Sequence, residues 1–489
     1  MERNSGLLLH ISSLPGDCGI GSMGREAFRF ADFLHDTGQQ FWQILPLGPT
    51  GFGNSPYKAF SAFAGNMLLI DIASLVEEGL LPRTVLPEMP KLPAFRVDFE
   101  RVSVLKDSLL RRAFASFSTA ALPADYRVFM DEEGWWLIDY CLYMALKQEA
   151  PANCWCDWEA DVRDRLNTEM LREKYAEEIE FQKFVQYIFF KQWFKLKRYA
   201  NERNVRIIGD MPLYVAGDSA DVWTNRDIFM LSPDGRMTKV GGVPPDAFSD
   251  DGQLWGCPVY KWERLAERQY DWWLARLHFN LRLFDRLRID HFRGLESFWA
   301  VAYTEPTAIN GEWMPAHGHA VLERLQSQLP QMPLIAEDLG IITPEVEHLR
   351  DRFRLPGMKV LQFAFDSDEK NPFLPHNFST NFIVYTGTHD NDTLAGWLKS
   401  CNKNVRQTLK WYFGRHRLHR KIMEAAWMSV AATAIAPMQD VLHLDGRSRM
   451  NTPGTPSGNW EWRFAWSQLK KRHAEFLKNI TKQYNRTGK

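Results

Sequence analysis

No stretch of this chain comes near the roughly 20 consecutive apolar residues that span a bilayer. That shortage excludes a membrane-spanning helix and predicts no membrane partner. Residues 1–9 offer only Leu7, Leu8 and Leu9 as a continuous apolar run, too short for the core of a secretion signal. The expectation is a soluble, cytoplasmic protein. Charge of one sign is not in excess either: 59 Lys and Arg stand against 60 Asp and Glu, for a net charge of −1. Nothing in that balance attracts a polyanion, so no nucleic-acid partner is expected. Cysteine is scarce, six in 489 residues, and lacks paired zinc-ligand spacing. Cys154 and Cys156 form a lone C-x-C, read as plain reduced thiols. The chain also has no dinucleotide or phosphate-loop motif and no linker, low-complexity tract or internal repeat.

What is present is a large apolar fraction, 45%, with 19 Trp, 32 Phe and 14 Tyr. Most of those rings are read as core fillers. Short apolar runs ending at Gly, Pro or a polar residue recur at 6–10, 41–47, 205–209, 287–289, 334–336, 358–365, 382–386 and 434–438. Each reads as a buried parallel strand. Amphipathic stretches lie between several of them, at 25–39, 181–203 and 320–328. Strand then helix, eight times over, predicts a (β/α)8 barrel in one catalytic domain spanning 1–489. A bare barrel takes about 250 residues, so the surplus is assigned to insertions. Residues 71–171 are expected to form a helical subdomain. Residues 211–285 are expected to carry a Gly/Pro-rich lid loop, 241–258, with Trp255 at its tip and Tyr57 as a facing platform.

Four of the runs lead into acids: Asp210, Asp290, Glu337 and Asp390. A barrel places its active site where its strands end. Singly, each acid reads as well as a helix cap or a structural ion pair; together they point to chemistry between carboxyl groups. Retaining glycosyl transfer needs one ionised carboxylate to attack the sugar carbon and one protonated acid to release the leaving oxygen, about 5–5.5 Å apart. Acids on neighbouring strands supply that. Arg288 lies two residues before Asp290, so both face the same way on a strand. Its charge favours the ionised form of Asp290, suiting the nucleophile. Like charge from Asp290 and Asp390 raises Glu337, suiting the proton donor. Asp338 is expected to point away, and His389 to donate to a sugar hydroxyl.

The motifs carry a resemblance that runs nearly end to end. They include Gly6-Leu7-Leu8-Leu9-His10-Ile11-Ser12-Ser13-Leu14-Pro15, Gly53-Asn54-Ser55-Pro56-Tyr57 and Gly209-Asp210-Met211-Pro212. Arg288-Ile289-Asp290-His291-Phe292-Arg293-Gly294, Ala336-Glu337-Asp338-Leu339-Gly340 and Gly387-Thr388-His389-Asp390-Asn391 follow. Met450-Asn451-Thr452-Pro453-Gly454 and Gly458-Asn459-Trp460 complete the series. In this order they resemble the amylomaltases, or disproportionating enzymes, of glycoside hydrolase family 77. The resemblance implies a 4-α-glucanotransferase that passes segments of α-1,4-glucans to a 4-hydroxyl of glucose or another glucan. It implies Asp290 as nucleophile, Glu337 as acid/base and Asp390 as stabiliser of the distorted sugar. It implies glucan contacts from Ser55, Tyr57, Asp210, Gln253, Trp255, Arg288, His389 and Asn459.

The partners implied are α-1,4-glucans, maltooligosaccharides and glucose; carboxyl chemistry calls for no metal, nucleotide or flavin. Two positions depart from the family: Cys257 stands where it usually has Asn, and Met67 where it usually has Pro. Chain length after the eighth strand predicts no trailing β-sandwich. Two other readings share the same acids: an α-amylase-like hydrolase, with water as acceptor, and a glucan-binding barrel without chemistry. Oligomeric state and preferred chain length are not legible.

Overall fold

The computed structural model describes residues 3–245 and 249–488. Asp246, which closes the Gly/Pro-rich run of the expected lid, lies outside the described residues. The strands in chain order are β1 (Asn4–Leu8), β2 (Phe41–Gln43), β3 (Arg206–Met211), β4 (Lys239–Val243), β5 (Gln253–Pro258), β6 (Arg286–Ile289), β7 (Ser297–Ala302), β8 (Gly311–Pro315), β9 (Leu334–Ala336), β10 (Gly357–Val360), β11 (Phe382–Tyr385) and β12 (Thr433–Pro437). Eight form one parallel sheet in the order β10-β11-β12-β1-β2-β3-β6-β9. These are the eight apolar runs, and their order is the chain order of a (β/α)8 barrel.

The ends of that sheet meet at a seam held by few bonds. Ala336 N–H donates to Pro356 O at 2.9 Å. Asp338 Oδ1 accepts the N–H of Met358, two residues into β10, at 2.6 Å. A second bond ties the Asp338 carboxylate to Arg350 at 2.5 Å. Gly357 must be glycine here, because a Cβ would come within 2.4 Å of Asp338 Oδ2. Asp338 thus turns away from the cavity and closes the barrel.

Strand limits differ from the sequence expectation where apolar runs outlast their pairing. The run 41–47 is strand only over Phe41–Gln43; beyond it the N–H of Leu45 goes to the His10 ring instead of a neighbouring strand. The run 358–365 leaves the sheet after Val360 and turns into a 3-10 helix, Leu361–Phe363. The third strand extends further than expected, so Asp210 sits within β3 rather than after it. Helices run Arg25–Asp36, Ala176–Glu202 and Gly318–Gln328; the first stops short of 39 as the chain turns at Gly38, φ 78°. Residues 71–171 hold two long helices, Phe99–Ser118 and Ala124–Glu149, among shorter ones.

The two flanks of the expected lid loop are strand, 241–243 in β4 and 253–258 in β5. β4 and β5 pair antiparallel and join β7 and β8, order β5-β4-β7-β8. Trp255 lies within β5, not at a loop tip. The strands β7 and β8, from the segment after the fourth barrel strand, were not legible as strands. Among the described residues, no helix is long and apolar enough to cross a membrane. Trp42, Trp155, Trp193, Trp223, Trp273 and Trp427 are fully buried, so much of the aromatic content serves the core.

Candidate active site

The register of the barrel sets the first two acids side by side. Ile289 pairs with Ala336, and each strand then runs into its acid, Asp290 and Glu337. Adjacent strands lie about 4.8 Å apart, so the two acids leave neighbouring strands at one level of the barrel. Glu337 N–H donates to Ile289 O at 3.1 Å, and Asp290 N–H to Met211 O at 2.9 Å, so both backbones are fixed.

His291 then takes the left-handed conformation, φ 51°, uncommon for a non-glycine residue. This turn aims its N–H at Glu337 Oε2, 2.7 Å away. Leu339 N–H donates to Oε1 at 2.9 Å. Two backbone amides therefore orient the Glu337 carboxyl.

Arg288 Nη1 reaches Asp210 at 2.7 Å and Asp290 Oδ1 at 2.9 Å. Tyr57 donates its hydroxyl to Asp210 Oδ2 at 2.8 Å. Its ring stacks on His389, centroids 5.1 Å apart and planes 18°. One face of Tyr57 is thus covered by His389.

Asp390 lies beyond β11, past a turn in which Asn391 Oδ1 accepts from Thr388 N–H at 2.8 Å. Its carboxylate lies 3.3 Å from His389 Nε2 and accepts from Asn451 Nδ2 at 2.6 Å. Arg449 donates to the Asp390 carbonyl at 2.6 Å.

The three acids differ in protonation because their surroundings differ. Burial in the recessed cleft raises Asp290 to about 6, with Arg288 opposing and Asp210 adding to the rise. Arg288 acts in the direction expected from the sequence, but the low-dielectric surround outweighs one cation. Burial is also the largest influence on Glu337, raising it to about 7, with Arg288 opposing and Asp290 assisting. Burial would raise Asp390 too, but His389 and the Asn451 amide bring it down to about 2. Asp390 keeps 45% of its side-chain surface open. His389 shifts upward: burial disfavours its charge, but Asp390 prevails.

Of the expected contact residues, Tyr57, Asp210, Arg288 and His389 gather around the acids. Trp255 sets its ring on the edge of His291, centroids 4.6 Å apart and planes 83°. Gln253 Oε1 accepts from the Trp255 indole at 3.3 Å. Ser55 accepts from Tyr57 N–H at 3.3 Å, so it shapes the turn carrying Tyr57. Asn459 accepts from Thr452 N–H at 2.8 Å and donates to Thr455 O at 3.1 Å. Its amide closes its own loop and is bonded to none of the acids.

Cys257 is buried behind Trp255 in β5, and burial pushes its thiol up to about 11. Met67 opens the short 3-10 helix Met67–Leu69 and packs on a small cluster of Ile20, Leu68, Val97 and Val102. Neither departure touches an acid.

Sequence reasoning gave no role to His291, Asn451 or Arg449. All lie in or beside the motifs, but only the folded chain shows which atoms they reach.

The family model described as 4-alpha-glucanotransferase, glycoside hydrolase family 77, matches residues 9–469. A 4-alpha-glucanotransferase of Synechocystis sp. is 47% identical, covering 99% of this chain and 98% of the relative. One of Thermus thermophilus is 45% identical, covering 99% of each. The solved amylomaltase from Streptococcus agalactiae in complex with acarbose superposes with a TM-score of 0.96 at 39% identity. It covers 99% of this chain and 100% of its own.

Proposed function

This chain belongs to glycoside hydrolase family 77, the 4-alpha-glucanotransferases, and from that premise we propose how its residues carry out the transfer. Asp290 is the nucleophile and Glu337 the acid/base of a retaining double displacement. The observation that supports this most is the pair of carboxyls at the exits of neighbouring strands, with Arg288 2.9 Å from Asp290 and two backbone amides on Glu337. Burial raises both acids, and the adjacent cation favours the ionised form of Asp290.

Asp290 attacks the anomeric carbon as the glycosidic bond breaks, and Glu337 gives its proton to the leaving oxygen. The donor's non-reducing segment stays on Asp290 as a covalent ester, and the shortened glucan leaves. The acceptor's 4-hydroxyl then loses its proton to Glu337 and attacks the same carbon, restoring Asp290. Asp390 stays ionised throughout and stabilises the distorted sugar. Arg288, clamped by Asp210, holds the Asp290 carboxylate in place.

Tyr57, Trp255, Arg288 and His389 contact the glucan, with Ser55, Gln253 and Asn459 completing the contacts; Asp210, expected among them, is buried and acts through Arg288 and Tyr57. The donors are α-1,4-glucans and maltooligosaccharides; glucose or another glucan end accepts. All six cysteines are free thiols, which supports a reducing, cytoplasmic setting.

The test is incubation with maltotriose alone. A ladder of shorter and longer maltooligosaccharides, with the number of reducing ends unchanged, is expected. A rising number of reducing ends without longer products would make water the acceptor.

A further inference from the structure

Trp313, in the middle of β8, is 39% exposed, yet its ring is held from two sides. Its centroid lies 5.2 Å from that of Trp299, planes 62° apart. Trp299 is itself fixed, donating its indole N–H to Ala308 O at 2.8 Å. The Arg293 guanidinium lies over the Trp313 ring, 3.8 Å from its centroid, and donates to Ile341 O.

The Arg293 support connects to both loops that carry the acids. Arg293 follows Asp290 in the short helical turn Phe292–Leu295. Ile341 lies on the segment leaving Glu337, whose Oε1 accepts from Leu339 N–H. Trp313 is therefore braced directly against the exit of the fourth barrel strand and, through Arg293, against that of the fifth. Tyr57, His389 and Asp390 come from the second and seventh.

The antiparallel register adds a direction. Gly242 pairs with Leu254 on one side and Trp299 on the other, and Trp299 pairs with Trp313. Leu254, Gly242, Trp299 and Trp313 thus form one row across the sheet. At about 4.8 Å per strand it runs roughly 14 Å. Leu254 and Ile341 are also exposed, at 37% and 50%. A rigid indole left half in water beside further exposed apolar groups marks a surface that meets a ligand. Its continuity with the catalytic loops identifies that ligand as the glucan. A pyranose presents an apolar C–H face to such a ring, and the contact needs no fixed hydrogen-bond register.

We propose that Trp313 is a stacking platform for the acceptor glucan, beyond the sugar whose 4-hydroxyl meets Glu337. This rests on Glu337 as the acid/base, because that assignment puts the acceptor on this side of the cleft. Short acceptors end before the platform; longer ones reach it.

The experiment uses the full chain and a donor of α-maltotriosyl fluoride blocked at its terminal 4-hydroxyl, so that it cannot accept. Acceptor KM is measured for glucose and for maltoheptaose in wild type, Trp313→Ala and Trp313→Tyr. In Trp313→Ala the maltoheptaose KM should rise about tenfold, by analogy with stacking on aromatics. The glucose KM and kcat should hold, and Trp313→Tyr should restore most of the loss. An equal rise for both acceptors would make the ring structural. A change in donor KM alone, or no change, would also overturn the proposal. So would a shift in sedimentation with unchanged acceptor KM, which would assign the ring to self-association.

Glu337→Gln separates the premise. If it forms the glycosyl-enzyme from the fluoride as poorly as from maltotriose, the acid/base assignment fails, whatever Trp313 does.

Discussion

Arg288 Nη1 lies 2.7 and 2.8 Å from the two carboxylate oxygens of Asp210, and both side chains are almost wholly buried. The same nitrogen reaches Asp290, so Asp210 competes with the proposed nucleophile for one cation. Asp210→Asn should free Arg288 for Asp290 and remove a like charge. Both changes lower the Asp290 pKa, so the acidic limb of kcat/KM should move below about 6. Breaking a buried pair should also cost on the order of 3 kcal/mol of stability. A pH profile and a denaturant melt check this; an unmoved acidic limb would show that Arg288 does not link the two acids.

Asp290→Asn should lower turnover by about a thousandfold or more, because the covalent step loses its attacking group. Its stability should not fall. The Asp290 carboxyl is raised from 3.8 to about 6 in the folded chain. The folded state therefore binds the extra proton between those values, and stability declines as pH rises through them. At pH 7 the charge opposes folding, and Asn removes it. A variant that keeps about a tenth of normal activity, or melts well below wild type at pH 7, contradicts this.

Activity should follow a narrow bell in pH. Asp290 must be ionised, giving the acidic limb near 6; Glu337 must be protonated for the first step, giving the basic limb near 7. The maximum should fall between them. In Glu337→Gln, glycosyl-enzyme formation from a fluoride donor should survive and lose its basic limb. A basic limb that persists in this variant would belong to another group.

Trp255→Ala should reduce transfer more than hydrolysis. The ring rests on His291, the residue after Asp290, where it can hold an acceptor sugar and exclude water. A stacking contact of about 1–3 kcal/mol corresponds to a fall of roughly ten to a hundred in the transfer-to-hydrolysis ratio. Reducing-end release against chain-length redistribution on maltotriose measures the ratio. An unchanged ratio would move the source of acceptor preference elsewhere in the cleft.

By itself the sequence determined the barrel, because eight buried parallel strands must be nearly continuous apolar runs and each was legible as one. It also set Arg288 and Asp290 on one side of their strand, and Asp338 opposite Glu337 on theirs, since side chains alternate with period two. It did not show the β5-β4-β7-β8 sheet. Three of its four strands carry Gly, Pro or a charged residue, and β4 joins β7 across the whole segment between them, so 241–258 read as a loop and 297–315 as nothing in particular. The main cause of the acids' raised pKa values also needed the fold. Charge spacing alone favoured a low pKa for Asp290, but the surrounding protein removes water from the cleft, and that desolvation outweighs Arg288. Only in tertiary contact does Asn451 reach Asp390, His291 turn its N–H toward Glu337, and Arg293 lie against Trp313. Hydrogen bonds and ring contacts between distant segments leave no periodic trace in the chain that makes them.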